Sequence, residues 1–131
     1  MGLIFITLGV YYGHYIKRQS KPIDELIPAG QEPIPPMLAT TVLVLGYVAL
    51  PFFFAIAFVN DPKMIALVSS VIHYIWLTCL CVWCLVAGRR MNLIHSAEEG
   101  SDIWFHGFWG MFFTPLYFNY KVNKLNEMLA A

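Results

Sequence analysis

The chain has 131 residues, of which 59% are hydrophobic, 16% aromatic and only 12% charged. Soluble domains are nearer one-quarter charged, so this composition excludes a disordered chain, a nucleic-acid-binding arm and an ordinary small soluble enzyme. Eight basic and eight acidic residues cancel, which leaves no pull toward a polyanion.

Residues 3–16 form the first apolar block. A helix of that length reaches about 21 Å, short of a hydrocarbon core of about 30 Å. Tyr11, Tyr12 and Tyr15 suit the membrane–water interface, so a short membrane or interfacial segment is expected. The N-terminal stretch lacks the basic region and small-residue cleavage pattern of a secretory signal. Ile6 stands where a myristoylation pattern wants Ser or Thr. Residues 17–36 hold Pro22, Pro28, Pro33, Pro35 and Pro36, which predicts an extended connector rather than a helix.

Two long runs follow, 37–59 and 64–87, neither carrying a charge. Each is long enough to cross a bilayer as a helix. Asn60, Asp61, Pro62 and Lys63 separate them, with Asp61 placed to cap the second run and Pro62 to open it. The expected centre is therefore a two-helix transmembrane hairpin. Residues 88–102 read as a polar connector, in which Ser101 or Asp102 is placed to cap a fourth helix. Residues 103–120 are an aromatic segment interrupted by Gly107, Gly110 and Pro115, and 121–131 a tail.

The fold expected is an all-α integral membrane protein in one membrane domain, a central hairpin flanked by two short aromatic segments. Four transmembrane helices are the alternative. Basic residues favour the cytoplasmic side. If neither outer block spans, then Lys17, Arg18, Lys21, Arg89, Arg90, Lys121 and Lys124 all share that side, and only Lys63 lies opposite. If both span, Lys121 and Lys124 cross over. Gly9-Val10-Tyr11-Tyr12 and Gly110-Met111-Phe112-Phe113 also resemble one another. Two aromatic membrane segments readily look alike by composition, and a duplicated element packed on the hairpin is the sharper reading.

Few residues carry chemistry. His73 lies midway along the run 64–87 and shares a helical face with Ser70, Cys81 and Cys84. Ionisable residues at that depth usually face protein, water or a ligand. The commoner role is a neutral imidazole hydrogen-bonded between helices; the alternatives are a haem or metal ligand and a proton relay. His14 and His106 are the other candidates for a haem pair, although no Cys-x-x-Cys-His occurs. Cys79, Cys81 and Cys84 fit packing better than metal binding, since thiolates are disfavoured in hydrocarbon. His95, Glu98, Glu99 and Asp102 read as a solvated acidic connector. Gly46 and Pro51 are candidates for close packing and a kink. Hydrolase, P-loop, zinc-protease and dinucleotide signatures do not occur in the sequence.

The outer segments TLGVYYGHYIKRQ and GFWGMFFTPLYFNYKVNKLN resemble a Gly-aromatic, Tyr/Trp-rich, basic-tailed pattern of small bacterial membrane proteins. The resemblance implies a bacterial inner membrane and no chemistry. A two-helix core buries little, and helices in lipid associate by packing and polar contacts. Self-association or other membrane subunits are therefore expected, with most connectors cytoplasmic. The expected function is non-catalytic: an accessory, regulatory or immunity-type subunit without cofactor. A homo-oligomeric channel or transporter with Ser70 and His73 facing the lumen is one alternative, and a haem-binding electron-transfer subunit another.

Overall fold

The computed structural model describes residues 2–56, 58, 59, 61 and 63–130, the side chains of 2–8, 53, 56, 111, 113–115, 129 and 130 excepted. Its elements are four helices, α1 (Gly2–Leu26), α2 (Pro36–Ile56), α3 (Lys63–Ile94) and α4 (Gly107–Ala130), with no strand among the described residues. The all-α expectation holds, and the bounds of three helices change.

The first helix runs on through Pro22 to Leu26, where a connector from residue 17 was expected. Proline removes one helical hydrogen bond and crowds the carbonyl four residues back, a cost of about 3 kcal/mol. Packing offsets it. Ile16 and Ile23, two turns apart, are 0% and 4% exposed, so an apolar stripe crosses the proline on the buried face. Ser20 Oγ donates to the Ile16 carbonyl at 2.8 Å, and Asp24 Oδ1 accepts the Ile34 N–H at 2.7 Å, tying the next loop back onto α1. That loop turns at Pro28–Gln31, where Gly30 has φ 96°. Pro36 then opens α2, where a missing N–H costs nothing.

The third helix extends past Ala87 to Ile94 and takes in Arg89, Arg90 and Asn92. It ends in a Schellman cap: Ala97 N bonds the Asn92 carbonyl, Ser96 N bonds the Leu93 carbonyl, and Ser96 sits at φ 47°. At its start Asp61 Oδ1 accepts the Lys63 N–H at 3.3 Å, as the capping expectation required. Asn60 and Pro62 lie outside the described residues.

The fourth helix starts at Gly107, not after Ser101 or Asp102, and runs through the expected tail to Ala130. Asp102 instead serves the helix's far half: Lys124 Nζ lies 3.0 Å from its carboxylate, and Lys121 Nζ donates to its carbonyl at 2.7 Å.

The helices pack as a meander, α1 on α2, α2 on α3 and α3 on α4, with α1 also touching α3 and α4. Helices α1 and α2 are antiparallel and very close. A Cβ on Gly13 would fall 2.6 Å from Leu43 Cα, and one on Gly46 would fall 3.0 Å from the Gly9 carbonyl oxygen. Helix α1 thus lies level with α2 rather than beside its end. Helix α4 crosses α3. Gly110 faces Cys84, and Phe118, two turns later, packs on Trp83 with ring centroids 5.1 Å apart. About 12 Å of α4 therefore passes over adjacent residues of α3.

Burial is uneven along the molecule. Trp83, Leu80, Ala87, Ile16, Ile34 and Val42 are nearly inaccessible, and they gather toward the connector end. The first half of α3 is bare over much of its surface: Leu67, Val71, Tyr74, Ile75 and Leu77 are all exposed, although Trp76 is buried. Among the described residues one helix, Lys63–Ile94, is long and apolar enough to cross a membrane, with mean hydropathy 2.0 over eighteen residues of which 11% are buried. The apolar helical stretch described in α2 is shorter, Pro36–Phe52. Length and composition thus mark one such helix, where the sequence alone put two on equal standing.

Candidate functional site

The face of α3 that carries the sequence candidates changes character along its length. Ser70, His73 and Leu77 are exposed, Cys81 is half-buried, and Cys84 and Gly88 are buried. Ser70 turns its hydroxyl onto its own helix, donating to the Ala66 carbonyl at 2.8 Å. His73 points outward beside Trp76, ring centroids 5.5 Å apart. Within this chain His73 therefore does not sit between helices, as its commoner role required. Trp76 itself is buried, stacks on Tyr12 at 6.4 Å, and keeps an Nε1 without a hydrogen-bond partner among the described residues.

The other histidines have separate neighbours. His14 Nε2 lies 2.9 Å from the Tyr47 hydroxyl, joining α1 to α2. The His106 backbone N–H donates to the Tyr117 hydroxyl at 3.1 Å. No cluster of three or more His, Cys, Asp or Glu residues suited to a metal occurs among the described residues. The three cysteines form no disulfide and lie along one continuous helix. Gly46 lies close against the Gly9 backbone. Pro51 is exposed within α2, and it leaves the Tyr47 carbonyl without its helical donor.

Two features went unread in the sequence. One is Gly9-x-x-x-Gly13, the spacing that lets membrane helices approach backbone to backbone; the string GVYYG held the signal. The other is a polar frame around the α3–α4 junction. Buried Asn92 donates from Nδ2 to the Phe105 carbonyl at 3.2 Å and accepts the Phe105 N–H through Oδ1 at 2.7 Å. Trp83 Nε1 donates to Ser20 Oγ at 2.9 Å. Arg90 donates through Nε and Nη2 to the Glu32 carbonyl. No local pattern announces partners this far apart in the chain.

Behind this frame lies a cavity of about 810 Å³, walled by α3, the connector and α4 and larger than a second one on α1. Trp104, Phe105, Phe108, Tyr117 and Phe118 give it an aromatic lining, Cys84 lies on its α3 wall, and Arg89, Glu99 and His106 also border it. The smaller, about 420 Å³, is bordered by Tyr11, His14, Tyr15, Lys17 and Arg18. Near the larger one, the hydrogen bond and charge of Lys124 hold the Asp102 carboxyl below its ordinary range, while Asp102 raises Lys124 in turn. Burial of the neighbouring Lys121 lowers its pKa.

No family model, curated protein or solved structure matches this chain.

Proposed function

We propose that this chain is a small, non-catalytic membrane-embedded subunit that works by associating with other membrane subunits or with itself. One observation carries the reading: the most apolar stretch of α3 is only 11% buried. The core helix of a soluble protein hides such a stretch, whereas a bilayer covers it. The hydroxyls agree. Thr40, Ser70 and Thr78 are exposed, yet each donates to the carbonyl four residues back, which lowers the cost of placing them in hydrocarbon.

The proposed arrangement differs from both sequence alternatives. Helices α1, α2 and α3 cross, and α4 lies along the connector face with Phe108, Phe112, Leu116 and Tyr120 outward at four-residue spacing. Lys17, Arg18, Lys21, Arg89, Arg90, Lys121 and Lys124 then share one side, with Lys63 opposite. This keeps the basic bias without denying α1 a span. In a bacterial inner membrane that basic side is the cytoplasmic one.

Alkaline carbonate extraction, labelling with a membrane-impermeant maleimide and native mass analysis test the proposal together. In a Cys-free background, Lys63→Cys should label from outside and Lys124→Cys should not. The chain should stay in the membrane pellet and leave mild detergent as an oligomer or bound to another protein. Release by carbonate would refute membrane residence, and a lone monomer would refute the subunit role.

A second reading has its own observation. Ser70 and His73 are exposed one turn apart on the bare half of α3, so copies packed on this face would enclose a polar line. A channel of that kind would show a pH-dependent liposome conductance that His73→Ala abolishes.

A further inference from the structure

The cavity between α3 and α4 is built like a ligand site. Its volume of about 810 Å³ falls within the roughly 300–1,000 Å³ range of small-molecule pockets, and its aromatic walls suit an apolar body. Its polar groups are few and oppositely charged. Arg89 and Glu99 both border it and are exposed. Neither has an ion-pair partner within 4 Å among the described residues, the pairs there being Lys21–Glu25 and Lys124–Asp102. Of the neutral polar groups on the wall, Asn92 is occupied by the Phe105 backbone and the Tyr117 hydroxyl accepts the His106 N–H, while Ser96 and the His106 ring also border the cavity. Just up the same face of α3, Cys81 is half-buried and Leu77 exposed, so the apolar wall continues into the stretch assigned to lipid.

An apolar chamber with one cation and one anion at its polar end complements a molecule with an apolar chain and a zwitterionic head. We infer that the cavity holds an acyl chain of one phospholipid bearing a primary amine. The phosphate lies on Arg89, with His106 as a second donor, and the ammonium faces Glu99. Arginine suits phosphate through its fork of donors, and basic pockets at the cytoplasmic ends of membrane helices are a recurring lipid-head site. The lipid fills the junction where α4 crosses α3 and fixes α4 in place.

The inference rests on the membrane reading above. Its test uses the purified full-length chain in mild detergent, native mass spectrometry, and three probes: dioleoyl phosphatidylethanolamine, dioleoyl phosphatidylglycerol and oleate. The expected result is one phosphatidylethanolamine per chain, held more tightly than either other probe. Arg89→Gln should weaken retention about tenfold, the worth of one lost charge-assisted hydrogen bond. Glu99→Gln should erase the preference over phosphatidylglycerol. Ala97→Trp, which places a ring at the cavity wall, should block the adduct while far-ultraviolet circular dichroism stays helical. Equal retention of phosphatidylglycerol or oleate by the unmodified chain would overturn the assignment. So would undiminished binding by a helical Ala97→Trp chain. Failure to bind any probe by a chain that still resists carbonate extraction overturns the lipid site and leaves the membrane reading standing.

Discussion

Gly13→Ala places one methyl group where, among the described glycines, an added Cβ meets the nearest neighbour. The new Cβ would lie 2.6 Å from Leu43 Cα, 2.9 Å from Leu43 Cδ1 and 3.1 Å from Leu43 Cβ. A change of leucine rotamer moves Cδ1 out of the way. It does nothing for the clash with the Leu43 backbone, which moves only with its helix, so α1 and α2 must part by about 1 Å to restore ordinary van der Waals distances. Overpacking of this kind costs about 1–3 kcal/mol. Alanine returns up to about 1 kcal/mol of helix propensity. The net expectation is a loss of about 1–2 kcal/mol. Gly9 is the internal control: its added Cβ meets nothing nearer than Trp76 at 3.8 Å, so Gly9→Ala should be neutral or stabilising by up to about 1 kcal/mol. Reversible unfolding in mixed micelles of rising dodecyl sulfate fraction, followed by circular dichroism, reads both. Leu43→Ala in the Gly13→Ala background should recover only part of the loss, since the backbone and Cβ of residue 43 remain. If Gly13→Ala proves as stable as Gly9→Ala, the close approach of α1 and α2 is wrong.

The polar frame makes further demands. Asn92→Leu keeps bulk but strips the buried Phe105 N–H and carbonyl of their partner, a cost of about 1–3 kcal/mol for a buried unpaired group; amide exchange at Phe105 should accelerate while that of α2 does not. Ser20→Ala leaves Trp83 Nε1 buried and unpaired at a similar cost, and Ser20→Thr should restore most of it in the same micelle unfolding assay. Ser96→Gly relieves a left-handed residue at the α3 cap and should stabilise by about 1–2 kcal/mol. The Asp102 carboxyl is held below its ordinary range by Lys124, so its contribution is complete above the unfolded-state value and is lost as pH falls through the lowered folded value. A carboxyl titration by nuclear magnetic resonance should show Asp102 below the ordinary aspartate range, and Lys124→Met should return it toward that range.

The long apolar runs were legible because their signal is local. A charge-free stretch can form a span whatever surrounds it, and Asp61 caps α3 as its position before the run implied. The ends of α1 and α4 were not legible for the opposite reason. Five prolines argue for an extended connector, and only the burial of Ile16 and Ile23 against other helices carries α1 past Pro22. His73 and Ser70 shared a helical face in the sequence, but whether that face is inside or outside depends on where α4 crosses. It crosses at Trp83–Leu85 and leaves both uncovered.

The sequence by itself determined the all-helical character of this protein and its long charge-free runs, because composition and periodicity act residue by residue. Tertiary structure alone decided the backbone approach of Gly13 to Leu43, the clip of Asn92 on Phe105 and the 810 Å³ cavity behind it. Each of these depends on a distance between segments far apart in the chain, set by how the helices cross.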